Sequence, residues 1–319
     1  LPPTKARIKS AAASAKVSDL FPYRTYDETK NLYFNQDSVG FALICAPATG
    51  LNLEQLRTLE SIFTTQYRAD TMLQISLIAD PNVESLLSNW EKGRTTGHEN
   101  KDVFSMLAKG RVEYLKTASW ASLFNEEVVM IRDYHLVITM NMPLREGQLE
   151  LSGTQLDELE RNKDGLIGSL KSASIVAEIM TPSILINLYG NLLRPSLSNN
   201  NIRLPVKYDD RLPINEQLIS NETAIYVNRD SLTLKYQDNY VSCLPYSVKK
   251  FPVEWMGSAN GELTGSFFNR IQRIACPFII TMNIHIPEQT SAASKAQNNM
   301  LRATQMKDTE VGKYVPQWK

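Results

Sequence analysis

The sequence predicts an α+β protein made of two related modules of small mixed or antiparallel sheets packed with helices. Two observations carry this reading. Strand-length apolar runs are interleaved with amphipathic helical stretches in a β-β-α-β order. Two distant stretches, YHLVITMNMPLRE at 134–146 and PFIITMNIHIPEQ at 277–289, share the letters ITMN, then a proline (Pro143, Pro287), then a long helical segment. A repeated strand–proline–helix context points to a duplicated unit. The expected organisation is a basic tail at 1–18, a first module at 19–147, a helical bridge and loop at 148–202, a second module at 203–288 and an exit helix at 289–319.

The elements follow in order. The tail carries Lys5, Arg7, Lys9 and Lys16 and no acid. Residues 32–34 and 39–46 read as strands around the polar loop 35–38. The second of these is apolar on both faces (Val39, Phe41 and Leu43 against Ala42 and Ile44), so it belongs in the middle of a sheet. Asn52 with Gln55 forms a capping-box pair, and the helix it opens has the stripe Leu53, Leu56, Leu59, Ile62 and Phe63. A strand over 72–79 follows, and Asp80-Pro81 is a cap and first-turn pair for a helix facing inward with Val83, Leu86, Leu87 and Trp90 and stopping near Gly93. The next helix, over 101–117, is expected to turn Phe104, Leu107, Tyr114 and Leu115 inward. The strand over 128–142 closes the first module.

Residues 149–180 are helical by period, and Thr181-Pro182 starts a second helix that ends before Pro195. This pair bridges the modules. A loop at 196–202 and a proline-punctuated extended stretch at 203–222 precede strands at 224–227, 231–236 and 240–245. A loop with Gly257 and Gly261, an amphipathic helix over 263–275 and a buried strand over 277–287 complete the second module. A polar Ala/Gln-rich helix over 289–307 leads out.

Composition excludes several function classes. Of 319 residues, 43% are hydrophobic and 21% charged, enough for real cores. Lys+Arg 34 balances Asp+Glu 34, so there is no general attraction to nucleic acid and direct binding to it is not expected. No apolar run nears the roughly 20 residues of a membrane helix. Cys45, Cys243 and Cys276 are odd in number and far apart, which reads as reduced, partly buried thiols of a cytoplasmic protein. The start at Leu1 and the end straight after a helical stretch read as a fragment of something longer.

Catalytic chemistry finds no foothold in the sequence. A phosphate-binding loop needs G-x-x-x-x-G-K-[ST], so that backbone amides, a lysine and a hydroxyl can hold phosphate and magnesium. The runs near Gly93–Gly97 and Gly257–Gly261 lack the spacing and the ending, and Gly312-Lys313 is followed by Tyr314. His98, His135 and His285 stand alone, without ligand spacing to Cys or His. Glu126-Glu127 and Asp209-Asp210 read as solvated turns. Tyr23, Tyr26 and Tyr33 read as packing residues. No catalytic, cofactor-binding or metal-ligating residue is assigned.

Several stretches together carry a resemblance: LFPYRTYDE at 20–28, DSVGF at 37–41, residues 47–50, RVEYL at 111–115, YGNLLRP at 189–195 and INEQ at 214–217. In this order they resemble the amino-terminal region of the TraC family of conjugative-transfer ATPases, the pilus-assembly motors of F-type type IV secretion systems. The second module, over 240–287, is similar to the matching part of the wider secretion-ATPase superfamily. The resemblance implies a RecA-like motor domain that follows this region, is absent from this chain, and takes ATP and magnesium. It implies a docking role for the present region at the inner face of the bacterial inner membrane, against small inner-membrane components of the channel. It also implies peripheral membrane contact and self-association of the full-length protein as a hexamer. The alternative is a free-standing adaptor of the secretion apparatus without a motor.

Overall fold

The computed structural model of the chain describes residues 16–48, 50–95, 101–125, 128–145, 148, 150–194, 206–249, 274–288, 294, 297 and 298. After a 3-10 turn at Val17–Leu20, the chain makes β1 (Tyr23–Asp27), β2 (Leu32–Asn35) and β3 (Ser38–Cys45) as two successive hairpins. Helix α1 (Leu53–Thr64) leads to β4 (Met72–Asp80). Then come α2 (Glu84–Thr95), α3 (Lys101–Thr117), β5 (Asp133–Pro143), α4 (Gly153–Ser172), β6 (Ala177–Ile179), α5 (Pro182–Leu192) and the short α6 (Ile214–Gln217). The meander β7 (Thr223–Val227), β8 (Leu232–Tyr236), β9 (Asn239–Cys243) follows, and β10 (Phe278–His285) comes last.

The main sheet runs β1-β2-β3-β5-β4-β10, with β6 paired to β3 further along the edge that β2 uses. Every pairing in it is antiparallel. β3 is central, as its two apolar faces require, and β5 threads between β3 and β4.

The period-two alternation sends each strand's residues to two cores. Leu32, Phe41, Leu43, Leu73, Ile138 and Met140 point to one face, covered by α1 and α4. Tyr33, Ala42, Ile78 and Val137 point to the other, covered by α5 and α6. Helices α1 and α4 both open with complete capping boxes, Asn52 with Gln55 and Ser152 with Gln155. Pro182 occupies the first turn of α5, where its missing N–H costs nothing. The buried Lys163 of α4 donates its ammonium to the Lys30 carbonyl, tying the helix to the β1–β2 turn. Helices α2 and α3 form a hairpin around a small core of Val83, Leu87 and Val112, with Trp90, Leu115 and Ile131 packed against it. Lys116 of α3 clamps it by bridging Glu84 of α2 at 3.0 Å.

Several expectations change here. The strand expected to close the second module, β10, lies in the main sheet, in register with β4 from Phe278 against Ala79 to His285 against Met72. It is an exposed edge rather than a buried strand, because only β4 flanks it among the described residues. The three-stranded sheet β7-β8-β9 stands by itself. Helix α2 starts at Glu84, since Asp80 is spent on a turn, its Oδ1 accepting from the Asn82 N–H at 2.9 Å. It also runs past Gly93 to Thr95, and its Leu86 is exposed. In α1 only Ile62 is buried, while Leu53, Leu56 and Phe63 face outward. In α3 the inward residues are Ala108, Val112 and Leu115, and Phe104, Leu107 and Tyr114 are exposed. The helical stretch after residue 149 ends at Ser172, where Ser174 takes a positive φ of 61° and turns the chain into β6. The stretch expected to be extended at 203–222 includes α6. The expected loop at 196–202, the glycine loop near Gly257, and nearly all of the helices at 263–275 and 289–307 lie outside the described residues.

Candidate functional site

Where β3, β5, β4 and β10 lie side by side, their second face carries a cavity of about 740 Å³. Tyr23, Asn35, Gly40, Gln74, Asn141 and His285 are among its lining residues. Sheet register explains why polar groups gather here: Gly40 is opposite Asn141, Asn141 opposite Met72, and Met72 opposite His285. Gly40 is required. A Cβ there would stand 2.1 Å from Asn141 Oδ1 and 2.3 Å from the Met140 carbonyl. The space it leaves lets Asn141 Oδ1 accept from Asn35 Nδ2 at 3.2 Å. Further along, Gln74 Nε2 donates to Asn283 Oδ1 at 2.7 Å, Ser76 and Thr281 share a hydrogen bond at 3.0 Å, and His285 Nε2 lies 3.3 Å from Asp70 Oδ1. These are cross-strand ladders of groups that mostly satisfy one another. They can hold strands in register and offer hydrogen bonds to a polar partner. They do not form a nucleophile with its base.

A second polar cluster lies at the other end of the same strands. Asp80 and Asp133 are directly opposite across β4 and β5. His135 Nε2 is 3.4 Å from Asp133 Oδ2. Burial pushes the Asp133 carboxyl above the ordinary range; His135 opposes that shift and the Asp80 charge adds to it. Nearby, the buried Arg132 donates to the Ser119 carbonyl, to the Ile131 carbonyl at 2.9 Å and to the Ala275 carbonyl at 2.6 Å. It joins the end of the α2–α3 hairpin, the start of β5 and the approach to β10. These contacts are structural ties.

The remaining singled-out residues are placed as follows. His98 and Glu126-Glu127 lie outside the described residues. Asp209 accepts from the Arg211 N–H in an exposed turn, and Asp210 lies beside it. Tyr23, Tyr26 and Tyr33 pack together, with ring centroids 6.2 and 4.8 Å apart, and Tyr33 donates to the Met180 carbonyl at 2.6 Å. Cys45 is buried, and burial pushes its thiol up to about 11, while Cys243 and Cys276 are exposed rather than partly buried. Among the described residues no group of three or more His, Cys, Asp or Glu is placed to hold a metal ion, and no helix is long and apolar enough to cross a membrane.

The family model described as TraC protein matches residues 17–319. The chain belongs to the TraC family of conjugative transfer proteins. It is similar to Protein TraC of Escherichia coli (strain K12), 22% identical over 308 residues, which covers 94% of this chain and 34% of that protein. The chain thus spans about a third of that relative's length.

Three of the segments that carry the TraC resemblance converge in space. The stretch at 20–28 supplies β1, 189–194 ends α5 and 214–217 is α6. Asn215 Nδ2 donates to the Ser18 carbonyl at 3.0 Å, and a Cβ on Gly190 would stand 3.2 Å from the Leu218 carbonyl. Together they assemble the layer over the sheet's second face. Sequence reasoning missed the cavity because its groups come from six strands with no shared spacing. The one available signal was Gly40, a glycine inside an otherwise continuous apolar strand.

Proposed function

We propose that this chain is a non-catalytic, amino-terminal docking and assembly region of a conjugation ATPase that energises pilus biogenesis and DNA transfer. The observation that carries the reading is the TraC family match over 17–319 in a chain spanning only a third of its relative. The sequence holds no phosphate loop, so ATP and magnesium belong to a RecA-like motor elsewhere in the full-length protein. The region positions that motor at the inner face of the inner membrane, against membrane components of the secretion channel. The full-length protein self-associates as a hexamer. The ladders and buried ties described above suit a rigid positioning body, since hydrogen-bonded registry holds geometry without chemistry.

Deletion of residues 17–288 from the full-length protein tests this. ATP turnover by the remainder should persist, while recovery with the inner-membrane fraction and pilus assembly should be lost. Turnover of ATP by the isolated 319-residue chain, or membrane recovery unaffected by the deletion, would overturn the reading.

A further inference from the structure

A buried arginine stands where the edge strand β10 meets the α2–α3 hairpin. Arg132 is 6% exposed. Its Nη1 donates to the Ser119 carbonyl, at the foot of the hairpin, and to the carbonyl of its neighbour Ile131. Its Nη2 donates to the Ala275 carbonyl at 2.6 Å, just before β10 begins at Phe278. Its Nε is buried without a partner among the described residues, so the group has no spare contact to fall back on. The foot is tied in turn to the rest of the hairpin. Ser119 Oγ donates to the Lys116 carbonyl at 2.8 Å, and the Lys116 ammonium bridges to Glu84 of α2 at 3.0 Å.

We infer that Arg132 is a latch through which the docking of β10 on β4 controls the α2–α3 hairpin. A guanidinium keeps its proton, and its donors lie in one rigid plane. With β10 in place, Nη2 is taken by Ala275 and Nη1 holds Ser119. When β10 leaves, the Ala275 carbonyl goes with it. A buried cation then loses a partner, which costs more than the loss of a hydrogen bond between neutral groups. The side chain relieves that loss by turning toward the flank of β4 that β10 has vacated. Because the fork is rigid, turning Nη2 outward takes Nη1 off Ser119, and the hairpin loses the anchor at its foot. The strand and the hairpin thus bias one two-state element, which is the physical requirement for coupling between distant parts. The chain runs from β10 into Ile286 and Glu288, so a displacement beyond that point reaches the hairpin by this route. The latch does not depend on the docking reading and would survive that reading's failure.

The test is amide hydrogen exchange of the 319-residue chain. Neighbouring strand residues point their N–H groups to opposite edges. Ile280→Pro together with Thr281→Pro therefore removes a bond of the β4–β10 ladder whichever way each residue faces. This double variant should raise exchange over Ala108 to Leu115 of α3 at least about tenfold, the scale of a lost hydrogen bond to a charged group, while β3 stays protected. In an Arg132→Met background the same prolines should change α3 exchange by less than about twofold, as expected once the coupling side chain is gone. Arg132→Lys keeps the charge and lacks the fork; it should uncouple the two elements likewise, and it replaces the methionine variant if that one does not fold. Prolines that open β10 and leave α3 unchanged overturn the latch. So does a rise in α3 exchange as large without the guanidinium as with it, since the coupling would then run by another route. A rise that β3 shares in full overturns it too, because the response would belong to the whole fold.

Discussion

Strands β5 and β10 flank β4 on its two sides, both antiparallel to it, and each carries ITMN. Level with Ile75 of β4 stand Ile138 on one side and Met282 on the other, so the two copies of the word are offset by two residues and keep the same face. Their surroundings differ completely. Ile138 and Met140 are 4% and 0% exposed, whereas Ile280 and Met282 are 41% and 50% exposed. Beyond β5 lies β3, which supplies Leu43 opposite Ile138 and Phe41 opposite Met140. Beyond β10 no strand pairs among the described residues. An apolar strand is buried by the neighbours it acquires, and its letters do not record how many it will have.

The sharpest way to break this comparison is a matched pair of truncations. Met140→Ala should cost about 2 to 5 kcal/mol, because the surrounding core cannot collapse onto the void. Met282→Ala should cost under about 1 kcal/mol, as exposed positions do. Urea unfolding of both variants measures the difference, and equal losses would mean that β10 is as deeply packed as β5.

Next in size is Gly40→Ala, which drives a methyl into Asn141 on β5 and should cost about 1 to 3 kcal/mol. Asn283, the matching asparagine on β10, faces Gln74 in the open, so Asn283→Ala should shift the urea midpoint by no more than about 0.5 kcal/mol. Tyr33→Phe removes the donor to the Met180 carbonyl and leaves that acceptor unpaired, for about 1 to 2 kcal/mol in the same assay.

The smallest effect is electrostatic and confined to β5. The raised Asp133 carboxyl means that the folded chain holds this proton more tightly than the unfolded chain does. Stability from this group is present at low pH and falls as pH rises from the ordinary carboxylate range through the folded value. Asp133→Asn should raise the thermal midpoint at pH 7 by a degree or two, on the order expected for a few tenths of a kcal/mol. That gain should vanish near pH 4. A gain that is constant with pH would remove the charge explanation.

Much of the element map could be read in the sequence. The proline at the start of α5 and the two-faced centrality of β3 are local signals, and local physics decides them. The capping box of α1 was legible in the same way. The direction in which α3 faces was not. Its period is apolar on both sides, so spacing alone cannot choose between Leu107 and Val112 as the buried residue. The address of β10 was not legible either, because strand pairing between positions 72–80 and 278–285 leaves no periodic mark. The part of the cavity wall that β10 supplies, His285, was hidden with it. What the sequence did convey about function came through the ordered TraC-like stretches, three of which (20–28, 189–194 and 214–217) pack into one layer of the fold.

The register of β10 on β4 has a consequence for how the molecule is made. Residues 278–285 complete a sheet whose other strands lie before residue 180. During synthesis the flank of β4 stays open while about a hundred further residues emerge. Closing so long a loop adds little to the final free energy, since each doubling of length costs only about 0.6 kcal/mol, but it delays the event. The last strand should therefore be the first to leave on partial unfolding, its amides exchanging with solvent well before those of β3 and β5. Until it arrives, Leu77 and Ile78 border an unpaired edge, which is when the nascent chain is most open to pairing with another strand.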